Sequence, residues 1–276
     1  MDELNYFILC YNRGLNIPTL NMLHRYGIYD NVYLVVGDDD PKLNEISLID
    51  CCKVLVFNKL DLINRVDAIG TYRYTMKICT YAREYVDLYA KANSLRYICI
   101  LFDDIESVQL RYVEHGIVRS TKQFNLKKLF SWYIELLNCN NSIYMVGPPG
   151  SSFYIGCTVD TCNKIATHYG NILIYDINKP IGHYVANVLE DMTIVLYNSK
   201  VGHIGLFPFG LQVNCRPAMT TLDAYKGISE SEYRQQWHII TLKKSDDKLI
   251  VPYSKFIPKI ISSRYRKSEN SYENSF

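Results

Sequence analysis

Residues 96–104 read Arg-Tyr-Ile-Cys-Ile-Leu-Phe-Asp-Asp. An unbroken apolar run closed by two acids is the mark of a strand buried on both faces, because a strand with one wet face would alternate. Similar runs precede it: Tyr6–Tyr11 (YFILCY), Asn31–Gly37 (NVYLVVG) and Lys53–Phe57 (KVLVF). Between them lie helix signals. One runs from Pro18, which suits a first helical position, to Tyr26. A longer one spans Tyr72–Ala92, with Ile78, Cys79, Ala82, Tyr85, Val86, Tyr89 and Ala90 at helical spacing. Strands separated by helices imply parallel pairing through right-handed crossovers. The fold class expected is therefore α/β, a Rossmann-type, mostly parallel central sheet with helices on both faces.

The second half reads as a mixed elaboration. It holds a helix over Asn125–Leu137, a strand over Ser142–Val146, and a Gly147-Pro-Pro-Gly150 turn leading to a short strand at Phe153–Cys157. A helix near Asp160–His168 follows, then strands near Ile172–Tyr175 and Thr193–Tyr197, and a Gly/Pro-containing loop from Gly202 to Pro217. No repeat or linker divides the chain. One domain is expected over 1–261, divided into halves at 1–104 and 105–261, with a polar tail over 262–276.

With 276 residues, 48% hydrophobic and 21% charged, the chain can bury a core and is not of the disordered class. No apolar run reaches the roughly 18 to 20 residues that cross a bilayer. The acidic start, Met1-Asp2-Glu3, lacks signal-peptide chemistry. Nine cysteines without a C-x-x-C pair point to reduced thiols rather than a disulfide framework or a zinc site. A cytoplasmic protein is expected. The net charge of +2 hides an asymmetry: Lys243–Lys267 carries +6, leaving −4 on the rest. A basic segment on an acidic body suits either a polyanionic partner or a solvated lysine-rich surface.

In parallel sheets, ligands gather beyond the carboxyl ends of the strands. Three polar clusters fall there: Asn12-Arg13, Asp38-Asp39-Asp40 and Asp103-Asp104. Adjacent carboxylates repel and resist dehydration unless a cation or donor group compensates, although Asp is also common in the solvated turns and helix caps where strands end. A divalent metal bridging a carboxylate to a diphosphate supplies that compensation. Asp38-Asp39-Asp40-Pro41 suits either a plain turn before a helix or a site where carboxylates accept from the hydroxyl and amino groups of a ribose or base. Arg13 and Arg83 can hold phosphate oxygens in two-pronged fashion, although Arg83 can equally pair with Asp87 in a surface bridge. Gly147–Ser152 lacks the Gly-Lys-Ser/Thr of a P-loop and is a turn.

Several of these segments resemble the phage-encoded TET/JBP-associated glycosyltransferases, which have a GT-A-like fold and modify hydroxymethylated pyrimidines in DNA. The matching stretches are YFILCYNRGLNIPTLNML, VYLVVGDDDP, KVLVFNK and YAREYVDLYAKANSLRYICILFDD. Near the end, WHIITLKK and FIPKIISSRYRK also match. The likeness is ordered along most of the chain and weak over about 105–230.

The resemblance implies that Asn12 and Arg13 face a nucleotide donor, with a UDP-sugar the implied choice. Asp38 and Asp39, with Asp67 nearby, would contact its base or ribose. Arg83 would lie near the diphosphate or sugar, Asp103 and Asp104 would hold ribose and metal, and His238 would be a further metal or phosphate ligand. The implied cofactor is Mn²⁺ or Mg²⁺. The implied partners are a nucleotide sugar and DNA carrying hydroxymethylated bases, with Lys255, Lys259, Arg264 and Arg266 on the DNA backbone. Asp160 and Asp223 are candidates for the base.

Two positions depart from the family pattern: Ile105-Glu106 stands where a third acid and a tyrosine are usual, and Glu84 stands where an asparagine is usual. They keep open two alternatives, transfer to a glycan or protein, and a non-catalytic DNA- or nucleotide-binding descendant of the fold.

Overall fold

The computed structural model describes residues 3–62, 65, 79–150, 154, 165–166, 171–179, 194, 198 and 202–216. All lie in one compact unit, Met1–Lys226. Its framework is an eight-stranded sheet in the order β3-β2-β1-β4-β9-β7-β10-β8. The strands are β1 (Leu4–Cys10), β2 (Val32–Gly37), β3 (Lys53–Phe57), β4 (Tyr97–Phe102), β7 (Ile143–Val146), β8 (Ile165–Ala166), β9 (Ile172–Asp176) and β10 (Ile204–Pro208). The first four are mutually parallel, as the apolar runs require. β9 runs antiparallel between β4 and β7, and β8 antiparallel beside β10.

Period-two alternation along each strand builds two cores. Tyr6, Ile8 and Cys10 of β1 join Leu34 and Leu101 on one face. There they meet helix α1 (Pro18–Arg25) through Leu20 and Leu23, and helix α5 (Leu126–Cys139) through Phe130 and Leu137. Phe7 and Leu9 point the other way, toward Tyr81, Val86 and Ala90 of helix α4 (Cys79–Ala92). Two four-residue helices, α2 (Leu43–Ile46) and α3 (Lys59–Leu62), follow β2 and β3. The expected mostly parallel α/β sheet with helices on both faces is what the chain forms.

A second sheet, β11-β5-β6, is built from β5 (Ile105–Glu114), β6 (Ile117–Thr121) and β11 (Leu211–Cys215). β5 and β6 form a hairpin whose turn, His115-Gly116, has φ of 49° and 75°. That is the left-handed pair a two-residue hairpin turn needs.

Three expectations are corrected. Gly202–Pro217 is not a loop: it carries β10 and β11, joined through Gly210 at φ 142°. Ile165–Ala166, placed in a helix over 160–168, is strand β8 paired with β10. Ile194, placed in a strand, is helical, and its carbonyl accepts from Asn198 Nδ2 at 2.8 Å. Among the described residues no helix is long and apolar enough to cross a membrane.

Candidate functional site

Parallel strands release the chain at one edge of the sheet, and the loops there must satisfy their own polar backbone groups. After β1, Asn12 turns the chain with φ 56°, and its N–H donates to Asp40 Oδ2 at 2.8 Å. Asp40 Oδ1 accepts from the Lys42 N–H at 2.7 Å. Asp40 is buried, and its carboxylate ties the loop after β1 to the loop after β2. Asp38 stays exposed. Asp39 forms a 2.6 Å ion pair with Lys59, the buried first residue of α3 just beyond β3. Lys59 Nζ also sits 5.6 Å from the centre of the Tyr11 ring. Gly37 makes this approach possible, since a Cβ there would fall 2.6 Å from Asp39 Oδ1 and 2.8 Å from Lys59 Cε.

The turn after β4 is clamped by the start of α1. Thr19 Oγ1 donates to the Phe102 carbonyl at 2.5 Å and accepts from the Ile105 N–H at 2.9 Å. Asp103 is buried, and one oxygen accepts from the Tyr11 N–H at 3.1 Å while the other meets Arg13 Nη2 at 2.8 Å. Burial outweighs these partners and lifts the Asp103 carboxyl above its usual range. The hydrogen bond to Asp103 in turn raises Arg13. Asn12, Arg13, Asp39, Asp40, Asp103 and Asp104 thus converge on one sheet edge, as their strand-end positions led one to expect.

Asp104 has different surroundings. Its Oδ1 is shielded from water and has no hydrogen-bond partner. Cys215, at the end of β11, lies near enough for the Asp104 charge to act on its thiol. Its main-chain carbonyl accepts from the Arg216 N–H at 2.9 Å. Burial first, then the Asp104 charge, push Cys215 up to about 12, so the sulfur stays protonated. Asn171 Nδ2 donates to that sulfur at 2.6 Å.

Arg83 corrects an expectation. It and Asp87 are 1% and 9% exposed, so the surface-bridge reading fails. Arg83 Cζ lies 5.2 Å from the centre of the Phe102 ring, just before the acidic turn. Asp87 is buried and accepts a hydrogen bond from Tyr175. Burial holds its carboxyl at about 7. Glu84 is buried too and pairs with Arg65 at 3.2 Å.

Among the described residues no three His, Cys, Asp or Glu side chains gather into a complete metal site. Asp103 is committed to Arg13 and Tyr11, which leaves the free oxygen of Asp104. Mg²⁺ and Mn²⁺ commonly take one or two carboxylates and complete their shell with phosphate oxygens and water. The donor set here fits that shared mode and does not fit an all-protein cage.

Asp67, Asp160, Asp223, His238, Lys255, Lys259, Arg264 and Arg266 lie outside the described residues. Lys59, Cys215 and Asn171 were not among the expected site residues. Lys59 stands at a strand end and could have been found by the rule that located the acids. Nothing local marks Cys215 or Asn171, which reach the turn only through sheet pairing.

No protein-family model matches the sequence, and no curated protein matches it. Solved structures do resemble the fold. Glucosyl-3-phosphoglycerate synthase from Mycobacterium tuberculosis, in complex with Mn²⁺, UDP and phosphoglyceric acid, matches over 88% of this chain and 78% of its own, with 12% identity and a TM-score of 0.47. A cytidylyltransferase from Leptospira borgpetersenii serovar Hardjo-bovis matches over 89% and 96%, with 14% identity and a TM-score of 0.42. At these identities and TM-scores, neither likeness bears on what this chain does.

Proposed function

We propose that the protein is a GT-A-like glycosyltransferase that moves a sugar from a nucleotide diphosphate to the hydroxyl of a hydroxymethylated pyrimidine in DNA. One observation carries the donor half of this reading. Polar side chains from the ends of β1, β2, β3 and β4 meet at one edge of the sheet, with opposite charges paired and one acid left partly unsatisfied. The DNA half rests on the resemblance of the quoted segments and on the +6 stretch over Lys243–Lys267.

In the reaction, the bond from the sugar's anomeric carbon to the diphosphate oxygen breaks. A bond from that carbon to the acceptor hydroxyl oxygen forms. The hydroxyl proton goes to a base, for which Asp160 and Asp223 are candidates, and the nucleoside diphosphate leaves. Asp38 and Asp39 would receive hydrogen bonds from the base or ribose, with Asp67 and Asn12 beside them. Arg13, held by Asp103, and Arg83, held against Phe102, would stabilise negative charge on the diphosphate and orient the sugar. Asp104, with His238, would hold Mn²⁺ or Mg²⁺, which when bound offsets charge growing on the leaving group. Because the acceptor hydroxyl is carried by a base, the base would be turned out of the duplex to reach the site. Lys255, Lys259, Arg264 and Arg266 would contact the backbone.

The test is incubation with labelled nucleotide sugars, Mn²⁺ and either hydroxymethylated DNA or glycans. Label is expected in DNA nucleosides by mass spectrometry. Asp104→Asn should cost at least about 100-fold in turnover with the fold intact. Label in the glycan alone would overturn the acceptor. Full activity in Asp104→Asn would remove that residue from the mechanism, and release of no nucleoside diphosphate under any condition would overturn the enzyme reading.

A further inference from the structure

Outside Lys243–Lys267 the chain is net acidic, so a cluster of unneutralised cations on the described surface stands out. One lies where the end of α1, the β5–β6 hairpin and the start of α5 meet. Two adjoining hollows there, of about 490 and 600 Å³, share Arg25, Tyr26 and Lys122 and form an open groove. Lys127 lines the second hollow. Arg25, Lys122 and Lys127 are all exposed. Arg25 donates to the main-chain carbonyl of Glu106 rather than to an acid. Lys122 and Lys127 have no ion-pair partner among the described residues. The one carboxylate lining the groove, Glu106, is neutralised by Arg216 at 2.7 Å.

The lining also says which polyanion fits. Protein partners are held chiefly by large apolar anchors seated in pockets. Here the rings of Tyr26 and Phe124 pack on each other, 5.3 Å apart, and the Tyr26 hydroxyl lies 3.0 Å from the Val108 and Lys122 carbonyls. The rest of the lining is cationic or hydrogen-bonding, as at Ser107 and Gln123. Nucleic-acid interfaces have this polar, positively charged and wet composition. The groove is also close to the sheet-edge site. Thr19 of α1 clamps the acidic turn, and Arg25 ends the same helix. The helical rise between the two is about 9 Å, close to three base steps along a DNA strand.

We propose that this groove docks the sugar-phosphate backbone of duplex DNA, with Arg25, Lys122 and Lys127 as phosphate contacts flanking the base that enters the site. The inference rests on the DNA acceptor proposed above and gives it a contact surface separate from the C-terminal cations.

The test measures binding of a fluorescent hydroxymethylated duplex by anisotropy across a salt series, with melting temperatures alongside. The groove variant Arg25→Gln/Lys122→Gln/Lys127→Gln is compared with Lys53→Gln/Lys91→Gln/Arg119→Gln, which removes the same charge from exposed positions elsewhere. The groove variant should bind about tenfold or more weakly at 0.1 M salt, with the slope of log affinity against log salt reduced by about 2 to 3. The control should stay within about threefold of wild type with its slope unchanged. Lys122→Gln/Lys127→Gln, which leaves Arg25 on its carbonyl, should lower the slope by about 2 and decides the matter if the triple variant melts early.

Wild-type affinity and slope in the groove variant would overturn the proposal while leaving DNA as the acceptor. Equal loss in the groove and control variants would overturn it too, because net charge rather than the groove would then be at work. Weakened binding of a polyglutamate peptide with duplex affinity unchanged would assign the groove to an acidic protein instead. Failure of the wild type to bind the duplex at any salt would overturn the DNA acceptor and this inference with it.

Discussion

Replacing Asp87 with asparagine should remove a pH dependence that the wild-type fold carries. Asp87 is buried under the sheet on α4, where it accepts a hydrogen bond from Tyr175, and burial raises its carboxyl from 3.8 to about 7. Below the lower value the acid is neutral in both the folded and the unfolded chain. Between the two values the folded protein keeps a proton that the unfolded chain has released, so each step up in pH favours unfolding. Above about 7 both forms are ionised and the effect is complete. The displacement corresponds to about 4 kcal/mol of stability present in acid and lost by neutrality.

Asp87→Asn keeps a neutral oxygen for Tyr175 at every pH. Its new amide N–H₂ costs about 1 kcal/mol if it goes unpaired. The variant should therefore exceed wild type by about 2 to 3 kcal/mol at pH 8 and match or trail it at pH 4. Urea unfolding at half-unit steps between pH 4 and 8 measures both curves. Parallel curves across that interval would refute the reasoning, because Asp87 would then not be the group that titrates.

Three further outcomes rest on other parts of the molecule. Arg13→Gln strips Asp103 of its ion pair and leaves a buried acid, so stability should drop by about 1 to 3 kcal/mol at pH 8. The loss should shrink as pH falls and Asp103 takes up a proton, which the same urea series reads. Gly147→Ala would set a Cβ 2.4 Å from the Ile172 carbonyl oxygen, a backbone atom that cannot swing away. Thermal melting should show a loss of about 2 kcal/mol. Neutralising Lys255, Lys259, Arg264 and Arg266 together should weaken DNA binding and flatten the plot of log affinity against log salt by about 0.9 for each phosphate left without a cationic partner. An unchanged slope by fluorescence anisotropy would assign these four to solvated surface.

The parts of the fold legible in the sequence are those where local pattern and tertiary role agree. β1, β2 and β4 are buried on both faces, so their apolar runs announce them. β3 shows itself by its apolar run although it is the sheet edge and exposes Val56. α4 shows its helical spacing because one face packs on Phe7 and Val35. Residues 202–217 mislead because Gly202, Gly205, Gly210 and Pro208 are turn signals that here punctuate two short strands. Pro208 is tolerated as the last residue of β10, and Gly205 admits the Phe207 ring, which a Cβ would meet at 2.4 Å. β5 and β6 escape a reading of pattern because β5 begins buried at Ile105 and ends exposed at Glu114, so its alternation fades along its length. For the site, strand ends point to Arg13, Asp39 and Asp103 without any coordinates. Asn171 and Cys215 lie far along the chain from Asp104, and only the pairing of β9 with β4 and of β11 with β5 brings them near.

The antiparallel strand β9 also bears on how the protein is made. Once β4 has left the ribosome, its outer edge, Tyr97–Leu101, has no partner until residues 172–176 follow, about 70 residues later. A bare apolar edge invites pairing with other chains, and the exposure lasts several seconds at ordinary elongation rates. Nascent chains in this interval are natural clients for chaperones. Fragments ending before residue 172 should gather into aggregates on expression even though they contain the whole four-strand parallel half.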